Sequence, residues 1–135
     1  MGLTGLMIDR LVRAAASRFS QQYGELGISK PALVALAALV ADAPLRQARL
    51  AERIGVDKAT LVGILNELEQ ADLARRAPDP SDRRAHAVTP TAKGTRLLVR
   101  AQELAASDDF FDALTPDERR TLDALLGKLL AVHAA

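Results

Sequence analysis

The chain has 135 residues, 49% hydrophobic and 26% charged, with a formal net charge of +1. That suits one compact domain able to bury a core and excludes a disordered segment. With no cysteine, disulfides, thiolate nucleophiles, thiol redox sensing and Cys-ligated zinc are excluded too.

The aromatic side chains are Phe19, Phe110, Phe111 and Tyr23, so a core must be built mainly from Leu and Ala, both helix formers. The apolar start stops too soon, at Asp9 and Arg10, for a signal peptide. No window approaches the roughly 18 uncharged apolar residues of a membrane span. A cytoplasmic chain without membrane contact is expected.

Residues 3–24 read as a helix, with Leu3, Met7, Leu11, Ala15, Phe19 and Tyr23 spaced by four. It would be about 30 Å long, a great length for so small a domain. Gly24 and Gly27 punctuate its end. Ser29 offers a cap, and Pro31 is tolerated in the first turn, for a second helix over 30–41 that is apolar nearly all round.

Asp42, Ala43 and Pro44 break that helix. Residues 47–54 form a short amphipathic helix with Leu50, Ala51 and Ile54 inward. Gly55 and Val56 make a turn. Asp57 then caps a helix to about Ala71, whose inner face is Leu61, Ile64 or Leu65, and Leu68. Short helix, glycine turn and second helix make a helix-turn-helix.

Beyond Leu73 the period shortens. Residues 73–78 and 85–89 suit the two strands of a hairpin, a wing, joined by the turn-forming, charged DPSDRR. That loop looks too long for a two-residue turn, so a mobile tip is expected. Thr91 caps a helix over 92–107 with the stripe Leu97, Leu98, Ala101, Leu104 and Ala105. Ser107, Asp108 and Asp109 interrupt it. Thr115-Pro116-Asp117-Glu118 starts a last helix, 116–133, with a capping box.

Charge is unevenly spread. Residues 46–96 hold ten Lys and Arg against seven acids, and the rest holds eight against ten. From Arg75 to Arg96 there are six bases, with Asp79 and Asp82 the only acids. This fits a local positive face, and equally ordinary solvated charge. The terminal helices carry more aliphatic surface than so small a domain can cover. Either two copies join through them about a two-fold axis, or they pack on each other within one chain.

The stretch LAERIGVDKATLVGILNELEQADLARRAPDPSDRRAHAVTPTAKG, from Leu50 to Gly94, resembles the MarR family of transcriptional regulators. It has the Leu-Ala-Glu-x-x-Gly-Val turn, a recognition helix ending in Leu-Glu and a Leu-x-Arg-Arg strand. Asp-Pro-x-Asp-Arg-Arg and Thr-x-x-Gly follow. The resemblance implies a mainly α chain, a winged helix-turn-helix with a two-stranded β-hairpin wing between N- and C-terminal dimerisation helices. One MarR-like domain would span 1–135, with arms at 3–28 and 108–135 and the winged helix with its linking helix at 30–107. It also implies a homodimeric repressor that binds a palindromic operator in double-stranded DNA, released by a small-molecule effector and needing no cofactor or metal.

By the same resemblance, Asp57, Lys58, Ala59, Thr60 and Gly63 face the major groove, and Arg75, Arg76, Asp82, Arg83 and Arg84 form the DNA-binding wing. Asp82 would pair with Arg84 and aim it at DNA, and Arg83 would meet phosphate or the minor groove. The chain departs from the family pattern at Gly63, Glu67, Asp72 and Pro90. Over 57–72 only Lys58 stands against Asp57, Glu67, Glu69 and Asp72, so weak base readout is expected, with most affinity from the wing.

Phe19, Tyr23 and Arg13 lie where an effector pocket could form, and the two aromatics fit an ordinary core or interface as well. His86 and His133 lack patterned partners, the serines lack a nucleophile-elbow context, and no Gly-rich phosphate loop or metal-ligand spacing appears, so no enzyme is expected. The rival reading is a dimeric ligand- or protein-binding winged helix with weak or lost DNA binding.

Overall fold

A computed structural model describes residues 2–133. Met1, Ala134 and Ala135, which belong to the expected domain of 1–135 and arm of 108–135, lie outside the described residues. In chain order the elements are α1 (Leu3–Tyr23), a 3-10 turn (Gly24–Leu26), α2 (Lys30–Asp42), β1 (Leu45–Arg46), α3 (Gln47–Ile54) and α4 (Lys58–Gln70). Then come β2 (Ala74–Asp79), β3 (Asp82–Pro90), α5 (Ala92–Ala105) and α6 (Pro116–His133). The chain divides into two compact units, one of residues up to Tyr23 and from Leu104, the other Gly24–Glu103.

The central unit is organised by its caps. Ser29 Oγ accepts from the Ala32 N–H at the start of α2, and Asp57 Oδ1 accepts from the Thr60 N–H at 2.7 Å at the start of α4. Between α3 and α4 the chain turns at Gly55, whose φ of 74° is left-handed and favours a residue without Cβ. The caps leave α2, α3 and α4 with apolar faces towards one another. Ala32, Ala35, Leu36, Leu39, Leu50, Leu65, Leu68 and Val88 are fully buried, with Leu61, Ile64 and Leu73 nearly so.

The sheet has three antiparallel strands in the order β1-β3-β2, one more than the expected two-stranded wing. β1 pairs Leu45 with Val88 and Arg46 with Ala87. Two residues are too few to show alternation, so the sequence pattern does not reveal this strand. The wing also differs from expectation at its tip. β2 and β3 run on until Asp79 faces Asp82, leaving a two-residue turn, Pro80-Ser81, beside an irregularity at Pro78/Asp79. Asp79 Oδ1 makes this possible by accepting from the Ser81 N–H at 2.9 Å and from Ser81 Oγ at 2.8 Å, an Asx-type closure.

α4 ends on Asp72, held at a φ of 58°, where the family pattern has glycine. Aspartate is among the few residues that enter this region readily. The Asp72 carbonyl accepts from Thr91 Oγ1 at 2.6 Å, and Lys93 Nζ donates to the Ala71 carbonyl at 2.8 Å. Thr91 Oγ1 in turn accepts from the Gly94 N–H. A Cβ on Gly94 would overlap the Leu73 carbonyl oxygen, so the Thr-x-x-Gly pattern records a close backbone approach.

In the other unit, α6 starts with the expected capping box. The Thr115 N–H donates to Glu118 Oε1 at 2.9 Å, and the Glu118 N–H donates to Thr115 Oγ1 at 3.2 Å. Asp108 and Asp109 cap and pair: Asp108 accepts from the Phe110 N–H, and Arg18 of α1 bonds Asp109. Arg119 lies 3.8 Å from the centre of the Phe111 ring. α1 and α6 contain no buried residue. Among the described residues no single helix is long and apolar enough to cross a membrane.

Candidate nucleic-acid interface

The buried stripe of α4 fixes what its other side shows. With Leu61, Ile64, Leu65 and Leu68 packed into the core, Asp57, Lys58, Ala59, Thr60 and Gly63 are all exposed. Helical spacing puts Ala59, Gly63, Asn66 and Gln70 opposite the buried stripe. Asn66 and Gln70 are also exposed, and their amides have the donor–acceptor pair that can read an adenine edge. Sequence reasoning passed over both, although their spacing from Ala59 and Gly63 marks them. Open space surrounds Gly63, where an added Cβ would meet nothing within 4 Å.

The acids of α4 are bound up within the protein. Glu67 is half-buried and bidentate on the start of α2, accepting from the Ser29 N–H and from Ser29 Oγ, both at 2.7 Å. Glu69 accepts from Arg76 Nε at 2.6 Å. Asp57 is the helix cap, and the Thr60 N–H holds its carboxyl below the usual range. Three of the four carboxylates that set the acidic balance of this helix therefore have structural partners.

On the wing, Arg75, Arg83 and Arg84 are exposed and have no carboxylate within salt-bridge distance among the described residues. Arg76, also expected in the wing, is paired: its guanidinium joins Glu69 and lies 3.5 Å from Asn66 Oδ1, tying β2 to α4. One wing expectation is corrected. Asp82 does not pair with the Arg84 side chain. Its Oδ1 accepts from the Arg84 backbone N–H at 3.0 Å instead. A backbone donor two residues along is already in reach, whereas recruiting a long guanidinium would cost side-chain entropy.

At the wing tip Arg46 Nε donates to Asp79 Oδ2 at 2.6 Å, and Arg46 Nη2 stands 4.0 Å from Asp82 Oδ2. The Arg46 hydrogen bond, followed by those from Ser81, lowers the Asp79 carboxyl to about 2. Phe19 and Tyr23 stack with ring centres 4.9 Å apart, both half-buried, and Arg13 pairs with Asp9 at 2.7 Å. Among the described residues no group of three or more His, Cys, Asp or Glu is placed to hold a metal ion. Among the described residues the central unit thus presents an exposed α4 face with Lys58, Thr60, Asn66 and Gln70 beside a hairpin bearing three guanidiniums without a carboxylate partner, an arrangement for binding a polyanion by groove and backbone.

Comparison with known proteins agrees in kind. Residues 26–85 match the sequence profile of the MarR family. The chain is 32% identical to the HTH-type transcriptional repressor NicR of Pseudomonas putida, over 92% of this chain and 73% of that protein. Its fold matches a cysteine-to-serine variant of MarR from Escherichia coli complexed with operator DNA, with a TM-score of 0.85 and 25% identity, covering 93% of this chain and 92% of the other. It also matches BpsR of Bordetella bronchiseptica, from a study of how 6-hydroxynicotinic acid regulates its DNA binding, with a TM-score of 0.81 and 26% identity over 93% and 91% of the two chains.

Proposed function

This chain belongs to the MarR family of transcriptional regulators, and from that premise we propose how it holds DNA. Two copies join through α1 and α6 and bind one palindromic operator duplex as a repressor. The exposed face of α4, with Lys58, Ala59, Thr60 and Gly63, enters the major groove. The β2–β3 hairpin follows the backbone towards the minor groove with Arg75, Arg83 and Arg84. Asp57 shapes this face as its cap, Asp82 holds the turn that carries Arg84, and Arg76 braces the hairpin on α4.

The observation that carries the reading is the pairing of charges in the central unit. Three of the four acids of the recognition helix are engaged, by a cap, by Ser29 and by Arg76, while three wing arginines stay unpaired among the described residues. The operator complex of the similarly folded MarR supports this geometry. The apolar faces of α1 and α6 support the dimer, and a location in the cytoplasm follows from a duplex target. The regulation of BpsR by 6-hydroxynicotinic acid supports release by a small-molecule effector. Such a ligand acts only by favouring a spacing of the two recognition helices that no longer fits the operator.

Anisotropy titrations over a range of salt, on a duplex selected from a random library, test the proposal. Wild-type affinity is expected to fall steeply with salt, and Arg84→Ala to weaken binding and lower the salt slope by about one. A protein that binds no duplex at low salt overturns the proposal in favour of a winged helix that has lost DNA binding.

A further inference from the structure

Arg46 occupies a position that ordinary helix chemistry gives to a different residue. It is the N-cap of α3, where Ser, Thr, Asp or Asn supplies an oxygen to the first free N–H groups, and it makes no side-chain cap bond. Its backbone belongs to β1, paired with Ala87 of β3. From there its side chain reaches the far end of the hairpin, with Nε on Asp79 Oδ2 at 2.6 Å and Nη2 4.0 Å from Asp82 Oδ2.

The contact falls on the residues that close the wing turn. Asp79 is the carboxylate that accepts both Ser81 hydrogen bonds, and Asp82 the one that holds the Arg84 N–H. The Asp79 side chain is 13% exposed, so its oxygens are given over to these partners.

We propose that Arg46 is a positioning residue of the wing: bonded to Asp79 and standing beside Asp82, it fixes the hairpin tip so that Arg83 and Arg84 meet phosphate, without touching DNA itself. The inference rests on the DNA-binding reading for its consequence, whereas the clamp can be measured in the free protein.

Backbone amide order parameters of residues 81–84, without DNA, read the clamp. Arg46→Gln is expected to lower them while the amides of α4 keep theirs, and Arg46→Lys to restore them in part. A merely structural role would disturb α4 and the core as well. On the selected duplex, Arg46→Gln is expected to weaken binding about tenfold, the scale of reordering a short segment on association, with an unchanged salt slope. Asp79→Asn keeps an acceptor for Ser81 but loses the charge. It is expected to weaken binding equally, and the double substitution to be no worse than either single one.

Unaltered tip order in Arg46→Gln overturns the proposal. So does a salt slope lower by about one together with tighter binding by Asp79→Asn, which makes Arg46 a phosphate contact instead. If the wild type binds no duplex, the DNA-binding reading fails while the tip amides still decide the clamp.

Discussion

The two compact units use leucine in opposite ways. In the central unit Leu36, Leu39, Leu50, Leu65 and Leu68 are fully buried, whereas in the terminal helices Leu3 is 74% exposed, Leu129 50% and Leu130 62%. The residue type is the same, so the difference lies in what each unit can bring against it. α2, α3, α4 and the sheet enclose a core among themselves. Among the described residues α1 and α6 bury none of their own side chains, and their apolar stripes stay exposed. The winged helix therefore closes its core within one copy, whereas the arms leave apolar surface open, which fits the pairing with a second copy proposed above.

The strongest way to break that contrast is to charge the arms. Leu126→Glu with Leu130→Glu, both on α6, is expected to convert a dimer into a monomer in sedimentation. Duplex affinity should fall by at least about a hundredfold, because two linked half-site contacts become one. The helical signal of the central unit should survive. A dimer that persists would mean that the exposed leucines of α6 are not where the copies meet.

Two glycines sharpen the same contrast inside the central unit, between packed backbone and open face. At Gly94 a methyl has no room beside the Leu73 carbonyl and the Leu36 side chain. Gly94→Ala is expected to cost about 3 kcal/mol in denaturant unfolding, the upper range for overpacking. At Gly63 a methyl meets nothing. Gly63→Ala should raise stability by up to about 1 kcal/mol, as expected in a helix interior. The same methyl occupies the face proposed to enter the major groove, so duplex binding is expected to weaken about tenfold even as the melting temperature rises, the scale of one lost base-edge contact. Unchanged affinity in this variant would take Gly63 out of the interface.

How much of this the sequence discloses depends on the range of each interaction. Helices with local stop and start signals are legible: Ser29, Gly55, Asp57 and the Thr115–Glu118 box all act within one turn of their own element. The inner faces of α3 and α4 follow from periodicity alone. What escaped is made by pairing at long sequence separation. β1 is a strand only because β3 lies beside it, and Arg46 meets Asp79 from 33 positions away. Glu67, counted in the acidic balance of the recognition helix, is turned to Ser29, 38 positions upstream. The wing turn is hidden for a related reason: composition shows how many turn formers are present, not which carboxylate closes the loop on its own backbone. Charge counted along the chain therefore mispredicts charge presented at a surface.

The smallest expected effect uses acid to compare carboxylates in the two units. Asp79 at the wing tip, Asp57 at the start of α4 and Glu118 at the start of α6 all lie below their ordinary values. For Asp57 and Glu118 the main cause is a backbone N–H, and for Asp79 it is the Arg46 guanidinium. A depressed carboxyl binds its proton more weakly in the folded state than in the unfolded one. Its stabilisation is thus complete above the unfolded value and is lost as pH falls through the folded one. For Asp79, the folded value is about 2. Against an ordinary aspartate near ~4, the window opens just below that value. Tip amides at Ser81 and Arg84 should stay ordered down to this window and loosen through it, without loss of the α6 helix signal at its start. In Arg46→Gln the chief cause of the depression is gone, so the loosening should move up towards the ordinary aspartate range while the titration of Glu118 stays where it was. If both shifted together, the acid response would belong to the whole fold and not to the wing.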